Sequence, residues 1–219
     1  MPESAPKQAP RGVVTDNLVS LQSFILEEEA RYPSATGEFS WIISAISLAA
    51  KIIAHKVRHV RLQNVLGEDG ITNVQGESQL HMDVIANEVI MRVLGGRKSI
   101  AVLGSEEDEE PTILRRGHEG GKYCVLFDPL DGSSNLDTAV GVGTIFTILR
   151  NDPTIHGAVE TVCQPGHQQV AAGYVLYGSS TVFVITTGHG VHMFELDAAV
   201  GSFMLGKRDL QMPPTKRIY

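Results

Sequence analysis

The sequence lacks the features that mark several large protein classes. Its 219 residues include two cysteines, Cys124 and Cys163, too few for a disulfide framework, so a reducing, cytoplasmic location is expected. Cys124 stands in an apolar run and is predicted to be buried and inert. The longest apolar segment, 41–54, contains serines and a lysine and is too short to span a membrane, so no membrane partner is expected.

Positive charge is also scarce. The formal net charge of −7 argues against a nucleic-acid partner, whereas a phosphorylated substrate is still allowed because bound cations can reverse the local sign. The sequence has no P-loop, zinc-type spacing, G-x-S-x-G elbow or useful repeat, and Gly141-Val142-Gly143 lacks the third glycine of a dinucleotide-binding motif. These absences disfavour several enzyme classes.

The remaining composition is that of a globular protein. Hydrophobic residues make up 42% of the chain and charged residues 20%, which is enough apolar material for a sizeable core. Residues 1–14 are rich in proline, alanine and polar groups and are predicted to form a disordered arm. We expect a folded domain over 15–205, and 206–219 is expected to begin a further domain that is missing.

The first half of the chain has helical periodicity. Thr15-Asp16 can cap a helix over 17–30, with an apolar face made by Leu18, Leu21, Ile25 and Leu26. A second helix is predicted over 39–60, with its apolar face at Ile42, Ile46, Ala49 and Ile53. A long loop is expected over 63–77, and a third helix over 78–94.

The second half of the chain has the pattern of strands. They are predicted over 99–103, 111–114, 123–127, 144–149, 170–176, 181–186 and 191–194. Helices followed by strands indicate an α+β or layered α/β fold, in which helices pack on a mixed β-sheet.

Two groups of histidines lie outside these patterns. A basic cluster at the end of the second helix suits the helix dipole, with a ligand-binding patch as the alternative; it consists of His55, Lys56, Arg58, His59 and Arg61. His189 and His192 flank a tight turn and are predicted to be surface residues.

Two of the predicted strands end in clusters of acidic residues. Asp128-Pro129-Leu130-Asp131 follows one strand, and Gly104-Ser105-Glu106-Glu107-Asp108 follows another. Carboxylates, together with the Leu130 carbonyl, form the oxygen-only ligand set that Mg²⁺ or Mn²⁺ prefers. Two such ions would neutralise the carboxylates and hold both oxygens of a phosphoryl transfer. A solvated turn is the alternative, since Asp, Gly and Ser are turn formers.

A phosphate site is predicted directly after this acidic motif. Gly132-Ser133-Ser134 offers backbone N–H groups at the start of a turn or short helix, with no side chain at Gly132 to obstruct an anion. The sequence therefore predicts a metal site beside a phosphate site.

These motifs resemble those of class I fructose-1,6-bisphosphatases, within the lithium-sensitive sugar and inositol phosphatase superfamily. The resemblance covers nearly the whole chain and rests on F-D-P-L-D-G-S-S-N-L-D, G-S-E-E-D, A-T-G-E-F, G-K-Y, V-G-V-G-T-I-F, A-A-G-Y-V-L-Y-G-S-S and D-A-A-V-G-S-F. It implies the sugar-phosphatase fold without its C-terminal α/β domain, because the family continues well past Tyr219.

The resemblance also implies roles for individual residues. Metal ligands would be Glu106, Glu107, Asp128, the Leu130 carbonyl and Asp131. Residues that position and deprotonate the attacking water would be Asp83, Glu107 and Glu77, the last standing where the family usually has Asp. The sugar 1-phosphate would bind at Asp131, Gly132, Ser133 and Ser134. An inhibitory AMP site would consist of Thr36, Gly37, Glu38, Phe39, Ser40, Lys122, Tyr123 and Arg150.

The implied activity is Mg²⁺- or Mn²⁺-dependent hydrolysis of the 1-phosphate of fructose 1,6-bisphosphate, inhibited by AMP and serving gluconeogenesis. Two or more ions per subunit and a homotetrameric full-length form are implied with it. Sedoheptulose-1,7-bisphosphatase activity is one alternative. An inactive, AMP-binding regulatory fragment is another, and this chain alone is expected to have little activity.

Overall fold

The first three helices pack on one face of a large mixed sheet, and the sequence predicts this helix-on-sheet arrangement. The computed structural model describes residues 19–30, 37–60, 68–72, 78–115, 120–138 and 140–213. The predicted N-terminal arm, together with Thr36 and Glu77, lies outside these described residues.

The first helix, α1, spans Leu21–Ala30, so it begins later than predicted. Ser20 provides its N-cap, because the Ser20 Oγ accepts a hydrogen bond of 3.1 Å from the Ser23 N–H. Leu21 and Ile25 are buried as expected, but Leu26 is 55% exposed and the buried aromatic residue is Phe24. The predicted apolar face is therefore confirmed for Leu21 and Ile25 and was wrong for Leu26, while Leu18 lies outside the described residues.

The second helix, α2, spans Glu38–Arg58 and confirms the prediction closely. It follows Gly37, whose φ of 74° is a left-handed conformation that favours glycine. The four residues predicted for its apolar face, Ile42, Ile46, Ala49 and Ile53, are all buried. Although α2 is long and apolar enough to cross a membrane, half of its most apolar window is buried inside the protein. That burial is typical of a core helix.

The segment before the third helix differs from the prediction. Strand β1, Glu68–Thr72, pairs antiparallel with β2, Ser78–Leu80, where a loop and the start of a helix were expected. Helix α3 consequently begins at His81 and spans His81–Gly95. The predicted loop over 63–77 thus contains a strand, and the rest of that range lies outside the described residues.

The main sheet has eight strands. They are β3 Ile100–Ser105, β4 Thr112–Ile113, β5 Tyr123–Asp131, β6 Val142–Arg150, β7 Ala171–Tyr177, β8 Thr181–Thr186, β9 His192–Asp197 and β10 Ser202–Lys207. Their order across the sheet is β10-β9-β8-β7-β6-β5-β3-β4. Only β3 and β5 pair in parallel, and the other described pairs are antiparallel. All seven predicted strands are confirmed, β8 with its predicted bounds and the other six with shifted ends, whereas β10 and the short helix α4, Ala158–Val162, were not predicted.

The two faces of the sheet are covered unequally. The face under α1, α2 and α3 carries the main core, which includes Val125, Phe146, Phe183, Phe194 and Phe203. The opposite face has a small cluster of Ala101, Val102, Cys124 and Leu149, against which Val162 of α4 packs. Elsewhere on the sheet, apolar side chains reach solvent at Ile145, Tyr174 and Leu176.

Candidate functional site

The two acidic motifs lie side by side at the carboxyl ends of β3 and β5. Because these strands are parallel, Ser105 is paired with Phe127, and the Glu106 N–H donates a 3.0 Å hydrogen bond to the Phe127 carbonyl. Strand β5 continues through Asp128 to Asp131, beyond its predicted end at Phe127. Ligand sites in α/β proteins commonly form outside such strand ends.

Asp128 lies at the electrostatic centre of this acidic cluster. Its pKa is raised from 3.8 to about 6, mainly by burial and further by the charges of Asp131, Glu106 and Asp83. The Leu130 N–H opposes that shift, since it donates a 3.0 Å hydrogen bond to the Asp128 Oδ1. A carboxyl with so many acidic neighbours ionises more readily when a cation is close.

Helix α3 contributes to the cluster from the covered face of the sheet. Asp83, in the first turn of α3, is 4% exposed, so it points inward. One turn later, the Asn87 Nδ2 donates a 3.2 Å hydrogen bond to the Asp108 Oδ1. This bond connects α3 to the acidic motif that follows β3. Asn87 was not singled out in the sequence.

The ligand chemistry of the cluster fits a hard divalent cation, but its side chains are not gathered around one point. Within the described ranges, no group of three or more His, Cys, Asp or Glu side chains is arranged to hold a metal ion. Asp131 is exposed and Glu106 is half-buried, and the charges of both act on Asp128. The oxygen-only ligand set fits Mg²⁺ or Mn²⁺.

A left-handed glycine follows the cluster. Gly132 has a φ of 77°, and the 3₁₀ helix Ser133–Thr138 begins directly after it. The Asn135 N–H donates to the Gly132 carbonyl at 2.9 Å and closes this turn. Other residue types would be strained at Gly132, so its backbone conformation explains why glycine stands at the predicted phosphate site.

A buried hydrogen-bond network supports the segment between the two aspartates. The Thr144 hydroxyl donates to the Pro129 carbonyl at 2.8 Å, and the Tyr177 hydroxyl lies 2.7 Å from the Thr144 Oγ1. Because a carbonyl only accepts, Tyr177 must donate to Thr144. Burial raises the pKa of Tyr177 and keeps this phenol protonated. Neither residue was predicted as part of the site.

The described residues of the predicted nucleotide site come together at the other end of β5. Tyr123 is paired with Arg150 across β5 and β6, and the Arg150 guanidinium lies 5.8 Å from the Tyr123 ring centroid. The Phe39 ring, from the first turn of α2, lies 6.2 Å from the Tyr123 ring. Lys122 forms an ion pair of 2.5 Å with Glu38. Three separate elements therefore meet here.

A further carboxylate, Glu29 of α1, lies at the same place. Its side chain accepts hydrogen bonds from the N–H and the hydroxyl of Ser40, the former at 3.1 Å. Burial raises the pKa of Tyr123, and the charges of Glu38 and Glu29 add to this effect while Arg150 opposes it. Glu29 thus occupies the Ser40 N–H in the first turn of α2, where anions bind favourably.

Two side-chain predictions have clear outcomes. Cys124 is fully buried, which confirms the predicted burial, and burial raises the pKa of its thiol to about 11. His192 is 5% exposed and packs on the Phe24 ring at 4.6 Å, so the prediction of a surface residue was wrong for it. It fills a gap between α1 and the sheet, and its Nε2 donates to the His189 carbonyl at 3.0 Å.

The sheet, the helix layer and the acidic strand ends together define a layered α/β protein of the sugar-phosphatase class. Residues 19–208 match the family model described as fructose-1,6-bisphosphatase, N-terminal domain. The chain therefore belongs to the fructose-1,6-bisphosphatase family.

Individual relatives agree with this assignment. The chain is 43% identical over 203 residues to the cytosolic fructose-1,6-bisphosphatase of Arabidopsis thaliana, covering 93% of this chain and 59% of that protein. It is 46% identical over 201 residues to the class 1 enzyme of Persephonella marina, covering 92% and 61%. The chain thus spans about three-fifths of the relatives' length.

A solved structure agrees as well. Leishmania major fructose-1,6-bisphosphatase in its holo form superposes with a TM-score of 0.82 at 35% identity, covering 90% of this chain and 61% of that one. The T-state form of the same enzyme gives a TM-score of 0.74 at 33% identity.

Proposed function

We propose that this chain supplies the metal- and 1-phosphate-binding part of a Mg²⁺- or Mn²⁺-dependent phosphatase that converts fructose 1,6-bisphosphate to fructose 6-phosphate and phosphate. The observation that carries the proposal is the parallel pairing of β3 and β5. It brings Glu106, whose N–H donates to the Phe127 carbonyl, close to Asp128, and Glu107, Asp131 and Gly132 follow along the two chain segments. Membership of a family whose named relatives are fructose-1,6-bisphosphatases supports the substrate.

The residues divide the work of hydrolysis as follows. Glu106, Asp128, Asp131 and the Leu130 carbonyl would hold the cations, which when bound supply positive charge for the scissile phosphate. Glu107 and Asp83 would orient the attacking water and accept its proton, since general bases must lie beside the reacting group. Backbone N–H groups at Gly132 and Ser133 would hold the phosphoryl oxygens.

Activity would require more polypeptide than this chain contains. On the sheet face opposite α1, α2 and α3, an open groove of about 830 Å³ runs from Glu106 and Asp128 to the apolar side chains of Ile145 and Tyr174. Exposed apolar surface beside a polar site is typical of an interface. We therefore expect the chain alone to release phosphate very slowly.

A chimera tests this proposal. The part of the Persephonella marina enzyme beyond its matched region would be joined after Tyr219, and phosphate release from fructose 1,6-bisphosphate would be measured with Mg²⁺. We expect turnover by the chimera and almost none by the chain alone. A folded chimera that binds Mn²⁺ but has no turnover would contradict the proposed activity, and sedoheptulose 1,7-bisphosphate in the same assay would test the alternative substrate.

We further propose that the opposite end of β5 binds AMP as an inhibitor. Phe39, Tyr123 and Arg150 provide stacking surface and positive charge, and the start of α2 provides N–H groups for a phosphate. Calorimetric titration of the chain with AMP tests this site without any need for turnover. Absence of AMP binding, with the fold verified by circular dichroism, would refute it.

A regulatory fragment is the second candidate function. Two observations favour it. The residues of the proposed AMP site contact one another, whereas in the described parts of the chain the acidic side chains are not arranged around one metal ion. AMP binding without Mn²⁺ binding would support this candidate. Mn²⁺ binding at the acidic cluster would favour the catalytic role.

Self-association into a homotetramer is a third part of the proposal. Trp41 is 62% exposed and Leu48 is 43% exposed on α2, while Val200 in the turn between β9 and β10 is 67% exposed. The Lys51 Nζ donates to the Gly201 carbonyl at 3.2 Å, which holds this turn against α2. Analytical ultracentrifugation of the Trp41→Asp variant should give a smaller species than the parent chain.

A further inference from the structure

Two histidines lie one turn apart at the C-terminal end of α2, far along the helix from the proposed AMP site. His55 is exposed and His59 is half-buried, and their ring centroids are 4.4 Å apart. The proposed phosphatase function uses neither residue. Histidines spaced by four residues on one helix face are the arrangement with which helices bind zinc-type metals.

A hydrogen bond fixes the tautomer of His59. Its Nδ1 lies 2.7 Å from the His55 carbonyl oxygen. Since a carbonyl only accepts, the Nδ1 carries the proton, and in the neutral ring the Nε2 keeps its lone pair. Metal-binding histidines usually donate their second ring N–H to a carbonyl or carboxylate in this way, which orients the ring and increases its basicity. His59 therefore already has the outer hydrogen bond of a metal ligand.

The electrostatic setting of the pair is mixed. The carboxyl end of a helix carries partial negative charge and attracts cations. Lys56 and Arg58 oppose this, but Arg58 is turned towards the sheet, where its Nη2 donates to the Thr181 Oγ1 at 2.9 Å. No third His, Cys, Asp or Glu completes a metal-holding group in the described ranges. Two imidazoles would thus be the only protein ligands drawn from those ranges, and water would complete the coordination.

We propose that His55 and His59 form a chelating site for a borderline divalent transition-metal ion such as Ni²⁺, Zn²⁺ or Cu²⁺. Imidazole nitrogen prefers these ions, whereas the carboxylates of the acidic cluster prefer Mg²⁺ or Mn²⁺, so the two sites differ in metal preference. An ion bound by both rings would join the last turn of α2 to its C-cap residue, His59, and stabilise the end of the helix.

The test is a titration of the chain with NiCl₂, in protein prepared without a polyhistidine tag and at a pH above the ordinary pKa of imidazole. Cys163→Ser is introduced throughout because this thiol is exposed, and excess Mg²⁺ occupies the acidic cluster. We expect one Ni²⁺ ion per chain. His55→Gln and His59→Gln should each weaken binding at least about tenfold, since each removes one of two ligands.

Matched controls separate chelation from binding by single histidines. His156 and His167 are also exposed, so His156→Gln and His167→Gln remove one imidazole each without touching the pair. These variants should change the affinity less than about twofold, and Ni²⁺ should raise Tm for them and for the parent but not for His55→Gln. Equal losses in the control and pair variants, or unchanged affinity in His55→Gln, would overturn the proposal.

Discussion

The two ends of β5 differ in how complete their candidate sites are. At the Tyr123 end, rings and opposite charges already contact one another, as in the ion pair between Lys122 and Glu38. At the Asp131 end, burial and, to a smaller degree, neighbouring like charges raise the pKa of Asp128. One end is assembled and neutralised by its own residues, whereas the other is the end at which we propose that a cation binds. Regulation and catalysis would thus depend on different ligands while sharing one strand.

The largest effect is expected from removing one charge at the acidic end. Asp128→Asn in the chimera should lower turnover at least about a hundredfold, because it removes a proposed cation ligand at the centre of the cluster. Phosphate release from fructose 1,6-bisphosphate measures the effect. Glu195→Gln, an exposed carboxylate on β9, is the matched control and should leave turnover unchanged.

AMP binding by the Asp128→Asn variant tests whether the two ends of β5 are independent. If the two ends of β5 are independent in the absence of turnover, calorimetry should give the same AMP affinity for this variant and its parent. A large loss of AMP affinity would show that the ends are not separable.

The second prediction concerns the network below the aspartates. Tyr177→Phe should lower the free energy of unfolding by about 1–2 kcal/mol, because it removes a buried donor to Thr144. It should also weaken Mn²⁺ binding without changing AMP affinity, since the network supports Pro129 and not the Tyr123 end. Urea unfolding and the two titrations measure these effects. Tyr123→Phe is the reciprocal control, and a loss of Mn²⁺ affinity in that variant would contradict the separation.

The third prediction is a pH dependence of stability that arises from Asp128 at the acidic end of β5. The pKa of Asp128 in the folded chain, about 6, exceeds its ordinary value of 3.8, so the folded state binds more protons between these values. Stability contributed by this group is therefore present below pH 3.8 and is lost as the pH rises through about 6. Without metal, Tm should fall over this range, and Mn²⁺ should reverse the fall at neutral pH.

Two variants test whether Asp128 causes this fall of Tm with rising pH. Asp128→Asn should flatten it, because the titrating group is gone, whereas Glu195→Gln should leave it intact. An unchanged slope in Asp128→Asn would assign the effect to another carboxylate.

Periodicity predicted correctly the elements in which apolar residues recur at regular helical or strand spacing. The apolar face of α2 recurs at helical spacing and was found correctly. In α1, Phe24 also lies at helical spacing from Leu21 and Glu28, but the buried Glu28 obscured the pattern. Strands β1 and β2 were missed because β1 carries a glycine and two acids and β2 has three residues. Such segments have low strand propensity and form through pairing.

The candidate site was likewise only partly predictable from the sequence. Neighbouring acidic strand ends were predictable from the sequence, since each motif directly follows an apolar run. The supporting residues were not, because Thr144 and Tyr177 reach Pro129 only through the sheet. Glu29 was likewise missed, since it lies 11 residues before Ser40 and meets it only through the packing of α1 on α2. Contacts of this kind depend on tertiary structure.

The smallest effect is expected from a substitution of Glu29. It tests whether this carboxylate competes with AMP at the Tyr123 end of β5. Its carboxylate occupies the Ser40 N–H, where an incoming phosphate would compete with it. Glu29→Gln keeps an oxygen acceptor for Ser40 but removes the negative charge, so AMP should bind about fivefold more tightly, as expected for one screened charge pair. Glu27→Gln, an exposed acid on the same helix, should change the affinity little. Equal gains in both variants would attribute the effect to net charge, and weaker binding in Glu29→Gln would show that Glu29 helps to build the AMP site.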